Sequence, residues 1–173
     1  GLYEVTVEKN VYWIDEELNV LRELSTIATG GYTLNDYTFK AANNGFLYTW
    51  SGSALGRRLQ VFNHEGVCSM QYNFPSDVVG VGSYNTVLGG GGDGTEMAVD
   101  VHVLNNGNVL VQEWANVTDG AYNFQNVLSG QKFKITTKVI DFETGAATEV
   151  KNFNYFVTDL ARANEEDHDF PFD

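Results

Sequence analysis

Cysteine occurs once in these 173 residues, at Cys68, so no intramolecular disulfide framework can form. Within Val-Cys-Ser-Met it reads as a half-buried, inert strand thiol. No apolar run approaches the ~18 residues of a membrane-spanning helix, and no secretory leader is legible. The chain opens on Gly1, which leaves three expectations: a removed leader, a tag remnant, or a piece of a longer polypeptide. Cations are scarce, 10 Lys and Arg against 23 Asp and Glu, for a net charge of −13. Such a surface repels phosphate backbones and anionic lipid, so neither a nucleic-acid nor a membrane partner is expected.

Catalytic and nucleotide motifs are also lacking. Gly80-Val81-Gly82-Ser83-Tyr84-Asn85 misses the third glycine of a dinucleotide turn, and Gly89–Gly94 has no phosphate-loop lysine. Ser51-Gly52-Ser53 is not a Gly-x-Ser-x-Gly elbow. His64, His102 and His168 have no metal-ligand spacing and read as structural or surface residues. No cofactor is expected. Oxygen ligands for a calcium ion do exist in or near loops, at Asp93, Glu96, Asp119, Asp141 and Glu143, but in no EF-hand or nonapeptide pattern. Trp13, Trp50 and Trp114 each follow an alternating strand, where core burial is the default and a sugar-binding platform the alternative. Asn116-Val117-Thr118 matches a glycosylation acceptor and reads as a turn.

What is present points to β-structure. Proline occurs twice, whereas the chain holds 18 Gly, 9 Tyr and 11 Phe. Aromatic and β-branched residues between Gly and Asn turns favour strands, and 43% hydrophobic residues suffice for a packed core. Four hairpins are legible: Val11–Ile14 with Val20–Leu24, Tyr37–Ala41 with Phe46–Trp50, Leu59–Phe62 with Val67–Tyr72, and Met97–Leu104 with Val109–Trp114. The first turn is the polar run Asp15–Asn19; the other three carry Asn-Gly or a similar pair, which supplies the positive φ that tight hairpins need. Asp15–Leu24 also fits a helical face through Leu18, Leu21 and Leu24; the hairpin is the preferred reading. Residues 161–169 hold a weak terminal helix pattern.

The four glycines at 89–92 read as a connector. The expected organisation is an N-terminal hairpin-rich unit (1–88), a linker (89–94), a β-sandwich (95–160) and an acidic tail (161–173). Asn43-Asn44-Gly45 in the first unit is echoed by Asn105-Asn106-Gly107 in the second.

The segment Asp119-Gly120-Ala121-Tyr122-Asn123-Phe124-Gln125-Asn126-Val127-Leu128-Ser129-Gly130, continuing through Lys132 to Ile135, carries a family resemblance. It resembles the carboxypeptidase-regulatory and transthyretin-type sandwiches of the immunoglobulin-like group. The resemblance implies an Ig-like antiparallel scaffold with Tyr122 and Phe124 inward and Gly120 and Gly130 at turns. Such modules are appended to surface proteins and to phage tail and virion proteins. Residues 38–72, with Asn-Asn-Gly-Phe-Leu-Tyr-Thr-Trp and then Arg58-Leu59-Gln60-Val61-Phe62, are faintly similar to an NHL-type propeller blade. A propeller needs about four blades to close, and this chain has room for two.

Two charge features suggest contacts. Phe133, Ile135, Thr137 and Val139 alternate with Lys132, Lys134, Thr136 and Lys138, so one strand face holds three of the ten cations. Lysines on a strand guard an edge or receive an acidic partner. The tail Glu165-Glu166-Asp167-His168-Asp169 ends in Phe170-Pro171-Phe172-Asp173, and Phe170 and Phe172 are expected to anchor it in an apolar groove. The partner-contact residues expected from sequence are therefore Lys132, Lys134, Lys138, Phe170 and Phe172. The fold expectation is all-β: a hairpin-rich unit followed by an Ig-like sandwich. The functional expectation is a non-enzymatic assembly or adhesion subunit, a bacteriophage tail or capsid-surface protein located in the virion. Its partners would be other protein subunits, with homo-oligomers expected. The alternative is a carbohydrate-binding or cell-surface adhesion module, extracellular, with a host-surface glycan as ligand; an enzyme is the third reading.

Overall fold

In a computed structural model, residues 10–24, 37–53, 56–83, 86–87, 97–117 and 131–157 are described, with 151–157 as backbone alone. Four hairpin ends share one turn geometry. Ala42 donates to the Phe46 carbonyl (3.1 Å) while Gly45 donates back to Ala42 (2.9 Å). The same pair of bonds closes Asn63–Val67, Leu104–Asn108 and Asp15–Asn19. The fourth residue of each turn has positive φ: Gly45 at 78°, Gly66 at 73°, Gly107 at 90° and, in the first hairpin, Leu18 at 66°. This is the three-residue hairpin loop with a left-handed closing residue, a conformation glycine adopts without a Cβ clash. Asn side chains reinforce it, since Asn44 Oδ1 accepts from the Phe46 amide and Asn106 Oδ1 from the Asn108 amide (both 3.1 Å).

These turns join β1 (Tyr12–Ile14) to β2 (Val20–Glu23), and β3 (Thr38–Ala41) to β4 (Leu47–Ser51). They likewise join β5 (Arg58–Phe62) to β6 (Cys68–Asn73), and β9 (His102–Val103) to β10 (Val109–Asn116). The preferred hairpin reading of Asp15–Leu24 is therefore correct. Strands β3 to β6 form a four-stranded antiparallel sheet in sequence order, over the residues that carry the blade resemblance. A second, six-stranded sheet runs β12–β11–β10–β7–β8, with β7 Val78–Val81, β8 Ala98–Val99, β11 Lys132–Ile140 and β12 Ala147–Val157. Strand β9 also pairs β10. The chain is all-β, and among the described residues the only helical feature is a turn at 86–87, where Val87 donates to Ser83.

One expected strand divides. Met97–Leu104 is not continuous: β8 pairs in parallel with β7, and β9 pairs antiparallel with β10. The Asp100 amide still donates to the Val81 carbonyl (2.8 Å), closing the parallel ladder before the chain reaches β9. Asn116, read as a turn residue, is instead the last residue of β10.

The two sheets pack face to face in a sandwich-like core. Tyr48, Trp50, Leu59, Val61 and Met70 from the first sheet meet Val78, Val81, Val109, Val111 and Ile140 from the second. Each such side chain taken out of water contributes about 1.5–3 kcal/mol. This core crosses the expected 89–94 boundary: β7, from the N-terminal side, is hydrogen-bonded inside the C-terminal sheet, while the glycine linker itself lies outside the described residues. The layers are also tied by backbone. Met97 N donates to Gly52 O (2.8 Å), and a Cβ on Gly52 would stand 1.6 Å from the Met97 carbonyl oxygen.

The opposite face of the four-stranded sheet is covered by the first hairpin. Leu24 packs with Leu47 and Phe62, joined by Val11, Trp13, Phe39 and Cys68. The hairpin is thus a third layer with its inner side on the sheet.

Candidate functional site

Three places gather functional chemistry, and the first lies between the sheets. Val111 is paired with Lys138, and Glu113 stands two residues further along the same face of β10. Glu113 is buried at 3% exposure, and its Oε2 forms an ion pair with Lys138 Nζ. From the facing sheet, the Tyr72 hydroxyl donates to Glu113 Oε1 at 2.6 Å, and Lys138 donates to the Tyr72 oxygen at 3.4 Å. Burial pushes the Tyr72 phenol well above its ordinary value, and the bond to Glu113 and its negative charge push it further. Tyr72 therefore stays protonated at neutral pH as a hydrogen-bond donor. The trio binds one sheet to the other.

This placement changes the reading of the lysine face. Lys138 is committed to Glu113 inside the sandwich, whereas Lys132 and Lys134 are exposed. Phe133 and Ile135 are buried as the alternation requires. Glu113 and Tyr72 were not singled out from sequence; the legible signal was a carboxylate at an inward position of the alternating strand Val109–Trp114. Phe170 and Phe172, the tail, the linker and the whole Asp119–Gly130 motif, with Tyr122 and Phe124, lie outside the described residues, as do His168, Asp93 and Glu96.

The remaining candidates have local tasks. Asp141 Oδ1 accepts from the Glu143 and Thr144 amides and the Thr144 hydroxyl, which holds its carboxyl below the usual range. His64 sits in its turn with its ring edge-on to Phe46, and His102 is exposed. Among the described residues no three His, Cys, Asp or Glu side chains are placed to hold a metal ion. Nor is any described helix long and apolar enough to cross a membrane. Cys68 is half-buried, and burial raises its thiol. Trp50 and Trp114 are buried, with the Trp114 indole donating to Gly82 O at 2.9 Å, while Trp13 packs under the hairpin. The tryptophans do not share an exposed surface.

The second place is a cleft where the two Asn-Asn-Gly turns meet. Tyr48 links them: its hydroxyl accepts from Asn44 Nδ2 (2.9 Å) and donates to Gly107 O (2.7 Å). The adjoining cavity of about 240 Å³ is lined by Lys40, Asn43, Asn44 and Asn105 among others.

The third place is the outer face of the β1–β2 hairpin. Trp13 is paired with Arg22 and faces inward; Tyr12 is paired with Glu23, and Ile14 with Val20, across a bulge. Tyr12, Ile14, Leu18, Val20 and Leu21 are 47–74% exposed, and Val67 on the neighbouring turn is 58% exposed. Scattered exposed apolar residues are ordinary; a contiguous group marks an interaction surface. No protein-family model, curated protein or solved structure matches the chain.

Proposed function

We propose that this chain is a non-enzymatic structural or adhesion subunit of a larger assembly, with a bacteriophage tail or capsid-surface protein as the best-fitting setting. The observation that carries the reading is the outer face of the first hairpin. Five large apolar side chains within ten residues stand in solvent there, on a hairpin already anchored from its inner side by Trp13 and Leu24. Covering such a face is favourable by about 25 cal/mol per Å² of apolar area. The partly buried Tyr72–Glu113–Lys138 trio supports the same reading, because its ionisable groups satisfy one another instead of facing a substrate. Sedimentation velocity of the wild type beside an Ile14→Ser/Val20→Ser/Leu21→Ser variant tests it. Concentration-dependent association of the wild type, lost in the variant, is expected; association unchanged by the three substitutions overturns the reading.

A carbohydrate-binding module is the second reading, favoured by the amide-lined cleft at Asn43 and Asn105. Its volume falls below the roughly 300–1,000 Å³ of sites for drug-sized ligands, which suits one sugar unit. Shifts of the Asn43 and Asn105 side-chain amide resonances on adding monosaccharides test it; resonances that stay put count against it.

A further inference from the structure

We infer that the hairpin face of one copy docks on the β10–β11 end of a second copy, so that the chains associate head to tail. The inference rests on the reading of that face as an assembly surface and names what covers it.

The hairpin's charge selects the partner. Around its apolar centre stand Glu16, Glu17 and Glu23, all exposed, and Asp15. Its one cation, Arg22, is turned inward with its Nε buried. Two such faces placed against each other would bring like charges together, which disfavours a symmetric contact and favours a basic counterpart.

The chain itself carries one. Among the described side chains the exposed cations are Lys40, Lys132 and Lys134. Lys132 and Lys134 stand two residues apart on one face of β11; Lys132 already makes a contact of its own, so Lys134 is the cation this face offers. That face also offers apolar contact. Ala115 lies opposite Lys134. The Val117 amide donates to the Lys132 carbonyl at 2.9 Å, so the strand pairing continues and sets Val117, 43% exposed, on the same face. Further along this face Val109 and Val111 are buried under the four-stranded sheet. The Ala115–Val117 end therefore projects past that cover as an apolar strip with Lys134 at its side, the counterpart of an apolar strip with carboxylates at its side.

The two surfaces are different parts of one molecule. A contact between them leaves an unused hairpin on one copy and an uncovered β10–β11 end on the other. Repetition then gives a closed ring or an open filament according to the rotation per step.

Charge reversal on each side separates this arrangement from any other assembly. In sedimentation velocity, Lys134→Glu alone and Glu23→Lys alone are each expected to weaken self-association about tenfold, and an equimolar mixture of the two variants to restore it. Association that requires Ile14 and Val20 but ignores Lys134→Glu overturns the docking assignment and leaves the assembly reading standing. Association indifferent to the hairpin substitutions overturns both, as does a wild type that stays monomeric. Both reversed residues are exposed, and circular dichroism of each variant verifies the fold.

Discussion

Glu113 and Lys138 form an ion pair between neighbouring strands of the six-stranded sheet, and Tyr72 of the facing sheet donates to the same carboxylate. The two partners are unequally placed: Glu113 is 3% exposed and Lys138 21%. That asymmetry decides which substitution is worse. Lys138→Met leaves a buried carboxylate with only the Tyr72 bond, an expected loss of about 3 kcal/mol. Glu113→Gln keeps an acceptor for Tyr72 and leaves a lysine that can reach solvent, an expected loss of about 1–2 kcal/mol. The Glu113→Gln/Lys138→Met double variant, which still gives Tyr72 an acceptor, should recover most of the loss. Urea unfolding of the full cycle measures the coupling.

Alkaline pH should weaken the fold. Burial raises the phenols of Tyr72 and Tyr48 and the thiol of Cys68. A group with a raised folded-state pKa holds its proton more tightly folded than unfolded. Its contribution is complete below its unfolded value and declines as pH climbs towards the folded one. Stability should therefore be flat through neutrality and fall above about pH 9–10. Tyr72→Phe should flatten part of that fall, as melting temperatures across pH would reveal. On the acid side, Asp15 is held low by its bonds to the Asn19 side chain and amide, and Asp141 by Thr144. Their contributions are present above the usual carboxylate range and decline as pH drops through their lowered values.

Leu18 occupies the position that glycine fills in the three sister turns, at φ 66° and 74% exposed. A left-handed conformation costs an L side chain roughly 1–2 kcal/mol, and glycine's added unfolded-state freedom offsets part of the relief. Leu18→Gly is expected to stabilise the protein by about 0.5–1 kcal/mol, read as a higher denaturation midpoint at unchanged slope.

Gly52 meets backbone, where no side chain can yield. A methyl there would overlap the Met97 carbonyl, so Gly52→Ala must separate β4 from the segment that leads into β8. A loss above about 3 kcal/mol is expected, with faster amide exchange at Met97. A variant as stable as the wild type would show that these segments are not joined as described.

The hairpins could be read from sequence because their turn chemistry is local: Asn44-Gly45, Glu65-Gly66 and Asn106-Gly107 each carry their own instruction. The split of Met97–Leu104 could not, since β8 is placed by parallel pairing with Val81, a contact no local pattern encodes. Lys138 and Glu113 are 25 residues apart and meet only through the β10–β11 register. A shift of one residue would have turned Lys138 to the other face. The exposed hairpin face was hidden for a different reason. Val11 and Trp13 alternate with Tyr12 and Ile14, so both faces of β1 are apolar and alternation does not say which is covered.

Amide exchange across residues 12–23, followed as protein concentration rises, tests the assembly account most directly. The account expects these amides to gain protection with concentration, while those of Val109–Val111 in the inter-sheet core do not change. Hairpin protection independent of concentration, in a protein whose core is intact, would contradict it.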